Sequence, residues 1–129
     1  TGNHYAHAIL RGSVDIYGNN LPNYHYEDVM RFDEMYCKQG LKFPAVIIDT
    51  NHSNSNKNAF EQVRIVKEVV GNRRHCDRFK ALVKGFLIES YIEDGNQSPD
   101  GNVYGKSITD ACLGWDKTRE LILSVAERL

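Results

Sequence analysis

Three stretches of the chain repeat one order of polarity: a short apolar run closing on a polar residue, a loop rich in Gly, Asn or Ser, and an amphipathic stretch. The first run, Ala6 to Leu10, closes on Arg11-Gly12. After a loop through Gly18, Asn19, Asn20 and Pro22, residues Tyr26 to Gln39 place Val29, Phe32 and Tyr36 at helical spacing, and Gly40 supplies a C-terminal cap. The second run, Ala45 to Ile48, follows Pro44 and closes on Asp49-Thr50-Asn51-His52. Polar Ser53 to Asn58 reads as a loop or helix start, and Phe60, Val63, Val66 and Val70 form a helical stripe that Gly71 is expected to end. The third run, Leu82 to Ile88, closes on Glu89. A long loop from Glu93 to Gly105 follows it, then a last helix in which Asp116 is the expected cap and Leu121, Ile122, Val125 and Leu129 the expected core face.

Near-continuous apolar strands alternating with amphipathic helices predict an α/β fold. Parallel strands need crossover helices and are buried on both faces. In such sheets the loops leaving the C-terminal strand ends form the ligand site. All three runs deliver ionisable residues to that edge.

Arg11, His52 and Glu89 are expected at or just beyond strand ends, and Asp110 in the loop or helix start after the third strand. One imidazole and two carboxylates suit Mn²⁺, Fe²⁺, Co²⁺ or Zn²⁺. The separations of 37 and 21 residues match no local metal motif, so other readings stand beside this one. His52 serves equally as a helix cap or loop hydrogen-bonder, Glu89 as a solvated strand end, and Asp110 as an early-helix carboxylate favoured by the dipole. Arg11 either pairs with a neighbouring carboxylate or, beside Gly12, grips a phosphate or carboxylate bidentately.

Composition narrows the field. With 41% hydrophobic and 26% charged residues the chain reads as one globular unit. Its net charge of -1, from interleaved signs, gives no reason to expect nucleic acid or an anionic membrane as partner. No apolar run is long enough for a membrane span and no secretory signal is legible, so a cytoplasmic setting is expected. Cys37, Cys76 and Cys112 are odd in number and widely spaced, which reads as free thiols. Thr1 at the start, with a strand-like run soon after, suggests a longer polypeptide. Arg73-Arg74-His75 reads as a solvated helix end. Gly101 and Gly105 with Lys106-Ser107 miss phosphate-loop spacing by one residue and do not follow a strand.

The ordered motifs resemble class I 3-deoxy-D-arabino-heptulosonate 7-phosphate (DAHP) synthases. They are His7-Ala8-Ile9-Leu10-Arg11-Gly12 with Pro22-Asn23-Tyr24; Ile48-Asp49 with His52-Ser53-Asn54-Ser55; Ile88-Glu89-Ser90; Glu93-Asp94-Gly95-Asn96-Gln97-Ser98; and Tyr104 to Cys112 with Gly114-Trp115. The resemblance implies that residues 1–129 form one segment, the C-terminal three βα units of a (β/α)₈ TIM barrel. It further implies a metal-dependent aldol-type transferase that condenses phosphoenolpyruvate with erythrose 4-phosphate, opening the shikimate pathway to aromatic amino acids. His52, Glu89 and Asp110 are then metal ligands, His52 and Asp110 catalytic residues, and Arg11 a phosphoenolpyruvate ligand.

Departures matter too. The family's fourth ligand, a cysteine from an early barrel segment, corresponds to none of the three cysteines. Asn51 and Thr50 stand where the family more usually has serine and an aromatic residue, and Val14 to Asn20 lengthens the first loop. Missing barrel units imply self-association or association with those units. The competing reading is a catalytically silent, phosphate-binding module; a metal-dependent hydrolase is a third.

Overall fold

The computed structural model describes residues 3–128. Strands β1 (Ala8–Leu10), β4 (Val46–Asp49) and β5 (Val83–Leu87) form one parallel sheet in the order β1-β4-β5. Leu10 pairs with Ile48, and Asp49 with Leu87. The crossovers are α1 (Tyr26–Lys38) and the pair α2 (Glu61–His75) and α3 (Asp77–Leu82); α4 (Trp115–Ala126) closes the described chain. The expected α/β class and parallel sheet are therefore present.

Alternation along the strands sets the core. Ala8, Leu10, Val46, Ile48, Val83 and Phe86 pack under the helices with Val29, Ile65, Val69, Phe79 and Leu82. Ile9 and Ile47, paired with each other and continued by Gly85, belong to the other face; Ile9 remains 47% exposed. A second cluster, Val66, Val70, Leu113 and Leu121, anchors α4 to α2.

Several expectations are corrected. Gly71 does not end its helix, which continues to His75, because Val66, Val69 and Val70 are fully packed and offset a glycine's helix penalty of about 1 kcal/mol. Phe60 lies outside the stripe at 52% exposure, and its place in the core is taken by Ile65 and Val69. Leu82 ends the short helix α3 rather than starting a strand, since the Cys76 thiol at its N-cap accepts the Phe79 N–H. Gly114, not Asp116, caps α4, and Ile122 is 53% exposed because it sits off the face that carries Leu121. Leu129 lies outside the described residues. The lengthened first loop is a hairpin, β2 (Ser13–Val14) against β3 (Asn20–Leu21), whose turn Asp15 organises by accepting N–H groups of Tyr17 and Asn19. Among the described residues no helix is long and apolar enough to cross a membrane.

Candidate metal centre

The chain reverses sharply after β4 to bring His52 back over the strand end. His52 adopts φ 49°, and Asn56 and Lys57 are also left-handed. Such φ values cost non-glycine residues roughly 1–3 kcal/mol each unless their surroundings enforce them. Asn54 does so here. Buried, its amide donates to the carbonyls of Leu10 (3.0 Å) and Asp49 (2.7 Å) and its oxygen accepts the Asn23 N–H (2.8 Å). The ends of β1 and β4 and the hairpin's return are thereby tied at one point.

His52 Nδ1 lies 2.8 Å from Asp49 Oδ2, with Asp49 itself buried. A carboxylate only accepts, so Nδ1 carries the proton in the neutral ring and Nε2 presents its lone pair. Nε2 faces Glu89 Oε1 at 3.1 Å and Asp110 Oδ2 at 3.6 Å. One donor atom from each residue lies within 4.8 Å of the others.

Glu89 is fixed through its backbone. The amide of fully buried Gln62 donates to the Glu89 carbonyl and accepts the Glu89 N–H, both at 2.9 Å, while also accepting the Thr50 hydroxyl at 2.9 Å. The carboxylate Oε2 accepts from Asn51 Nδ2 at 2.7 Å, leaving Oε1 toward His52. Asp110 arrives from a loop held by backbone hydrogen bonds: Glu93 to Gly105, Gly95 with Cys112 in both directions, and Gln97 to Ser107. Leu113 N–H then reaches the Glu89 carbonyl at 3.0 Å. Asp94 ties the loop to α4 by accepting the Gly114 N–H and pairing with Lys117, and that lysine, with the Gly114 bond, holds its carboxyl below the usual range.

The donor set fits a divalent ion. Two donors each about 2.1 Å from one ion stand roughly 3.0–3.4 Å apart by geometry alone, close to the two separations from Nε2. The nitrogen–oxygen mixture suits Mn²⁺, Fe²⁺, Co²⁺ or Zn²⁺. None of the three thiols joins the cluster among the described residues.

Arg11 lies just past β1, at the same sheet edge as His52. It is half-buried and makes no ion pair among the described residues. The neighbouring Gly12 adopts φ 75°, and an added Cβ there would sit 2.8 Å from the Leu21 carbonyl and from Ser53 Cβ. A mostly apolar cavity of about 500 Å³, lined by Tyr5, Phe43, Ile47 and Leu82 among others, opens at the opposite end of the strands and does not reach the cluster.

Sequence reasoning named all three clustered residues but missed Asp49, Asn51 and Gln62. The Asp three before the histidine was the one local signal available. The Glu89 and Ala111 groups that Asn51 and Gln62 hold lie 27 to 60 residues away, beyond any pattern.

A parallel α/β sheet with an imidazole and two carboxylates gathered at its C-terminal edge defines a class of α/β protein whose strand-end loops carry a group that could hold a metal ion. Comparison narrows that class. The model of the DAHP synthetase I family matches residues 1–123, and the chain belongs to that family. It is 36% identical to the Tyr-sensitive phospho-2-dehydro-3-deoxyheptonate aldolase of Enterobacter agglomerans, over 99% of this chain and 57% of that protein. It is 38% identical to the Phe-sensitive enzyme of Escherichia coli, over 98% of this chain and 34% of that one. A phospho-2-dehydro-3-deoxyheptonate aldolase structure from Francisella tularensis superposes with a TM-score of 0.83 at 29% identity, covering 98% of this chain and 35% of that one. The chain thus spans between about a third and just over half of these relatives.

Proposed function

We propose that this chain is the C-terminal three βα units of a (β/α)₈ barrel, and that the assembled barrel is a DAHP synthase condensing phosphoenolpyruvate with erythrose 4-phosphate. The observation that carries the reading is the convergence of His52, Glu89 and Asp110 within 4.8 Å at the strand-end edge of a family member. An ion held there would polarise the acceptor aldehyde as a Lewis acid. The chain's own groups supply the rest. Asp49 keeps the His52 lone pair available, Asn51 and Gln62 hold Glu89 in place, and Arg11 offers an unpaired guanidinium to the phosphoenolpyruvate anion at the same edge. Phosphoenolpyruvate C3 then attacks the aldehyde carbon, water adds at C2, and phosphate departs. Asp110, 52% exposed, is the ligand best placed to orient that water or a substrate hydroxyl.

The second reading, a catalytically silent module, applies to the 129-residue chain by itself. It is supported by the uncovered sheet face at Ile9, which suits association with further barrel units or a second copy. A cytoplasmic setting goes with this reading. The test is a coupled assay with phosphoenolpyruvate, erythrose 4-phosphate and Mn²⁺ on the intact polypeptide and, separately, on the 129-residue chain. Metal-dependent condensation by the first alone is expected. Phosphate release without condensation by the intact polypeptide would favour a hydrolase instead.

A further inference from the structure

Asn51 stands where the family resemblance expects serine, and what it touches makes the difference consequential. The residue is 1% exposed, and both N–H donors of its side-chain amide are used. Nδ2 donates to Glu89 Oε2 at 2.7 Å and to the Ala111 carbonyl at 3.2 Å, while Oδ1 accepts the Ser55 hydroxyl at 2.8 Å. Its own N–H donates to Asp49 Oδ1 at 2.9 Å, the carboxylate that orients His52. One residue thus touches the carboxylate of one clustered residue, the carbonyl beside a second, and the partner of the third.

We propose that Asn51 is a positioning residue that preassembles the metal centre by clamping the loop bearing Asp110 onto Glu89. The reason lies in donor inventory. An amide has two N–H donors and serves two acceptors at once, whereas a serine hydroxyl has one. A serine here therefore leaves either the Glu89 carboxylate or the Ala111 carbonyl without this tie. Asp110 follows the Ala111 contact, because the two are adjacent on the chain and 60 residues separate Asn51 from Ala111. Releasing the clamp frees the third ligand to sample positions away from His52 Nε2, and the ion is held by fewer donors.

This rests on the metal reading above, and its test separates the two. Mn²⁺ is titrated by electron paramagnetic resonance into the intact polypeptide and into its Asn51→Ser and Asn51→Ala variants. Amide exchange is followed in the same proteins without metal. The expected result is a 10- to 100-fold weaker Mn²⁺ affinity in the variants, the range usual for loss of a group that supports metal ligands. Faster exchange at Cys112 and Leu113 should accompany it, with Ile65 and Val69 in α2 unchanged. No Mn²⁺ binding by the parent defeats the metal reading and the clamp together. Unchanged affinity in Asn51→Ser defeats the clamp alone, and faster exchange with unchanged affinity makes Asn51 merely structural and overturns the proposal. Should Asn51→Ala fail to fold, Asn51→Ser decides.

Discussion

Replacing Gln62 with leucine removes a fully buried amide whose three hydrogen bonds all serve the edge that carries Glu89. The loss is uneven. The Glu89 carbonyl keeps the Leu113 N–H and the Thr50 hydroxyl keeps the Leu87 carbonyl, but the Glu89 N–H keeps no other partner among the described residues. An unpaired donor of this kind costs about 1–3 kcal/mol, and leucine, similar in volume, avoids adding a cavity cost. A destabilisation of about 2 kcal/mol is therefore expected. With a urea slope of about 2 kcal/mol/M, the midpoint should fall by about 1 M at unchanged slope. Exchange at the Glu89 amide should rise well beyond that of β4. A midpoint within about 0.2 M of the parent, with Glu89 still protected, would refute the account of how this ligand is held.

Gly12→Ala should cost at least about 1–3 kcal/mol from left-handed strain, measurable as a lower Tm, with weaker phosphate binding where Arg11 is displaced. Asp94 has a folded pKa below its usual 3.8, so its contribution is present above that value and lost as pH falls through the depressed one. Stability of parent and Asp94→Asn measured down the acid limb should accordingly converge there; a constant gap would contradict it. Alkylation should reach Cys76 at lower pH than Cys112, since the Phe79 N–H lowers the first thiol's pKa and burial raises the second's. Equal pH profiles would count against both assignments.

The sheet was legible where apolar runs are continuous and end abruptly, as at Ile48-Asp49 and Ile88-Glu89, each flanked by a polar loop. Strand-end placement then brought Arg11, His52 and Glu89 into view from the chain alone. Asp110 was harder. Its position depends on a loop whose order comes from backbone pairing of Gly95 with Cys112 and from Asp94 at Gly114, contacts that no periodicity records. Helix α2 ran past Gly71 because tertiary packing outweighs a local breaker, and α3 was hidden inside an apolar run that looked like strand. The residues that aim the ligands were illegible for a similar reason. Asn51 and Gln62 are polar side chains in polar or helical segments, and only the fold tells which polar atoms they meet.

His52, Glu89 and Asp110 are proposed to bind one divalent ion together. Anomalous diffraction from crystals of the intact polypeptide grown with Mn²⁺ tests it directly. The account predicts one strong peak within bonding distance of His52 Nε2, Glu89 Oε1 and Asp110 Oδ2, lost in His52→Ala. A peak elsewhere, or no peak between these three atoms at saturating Mn²⁺, would contradict it.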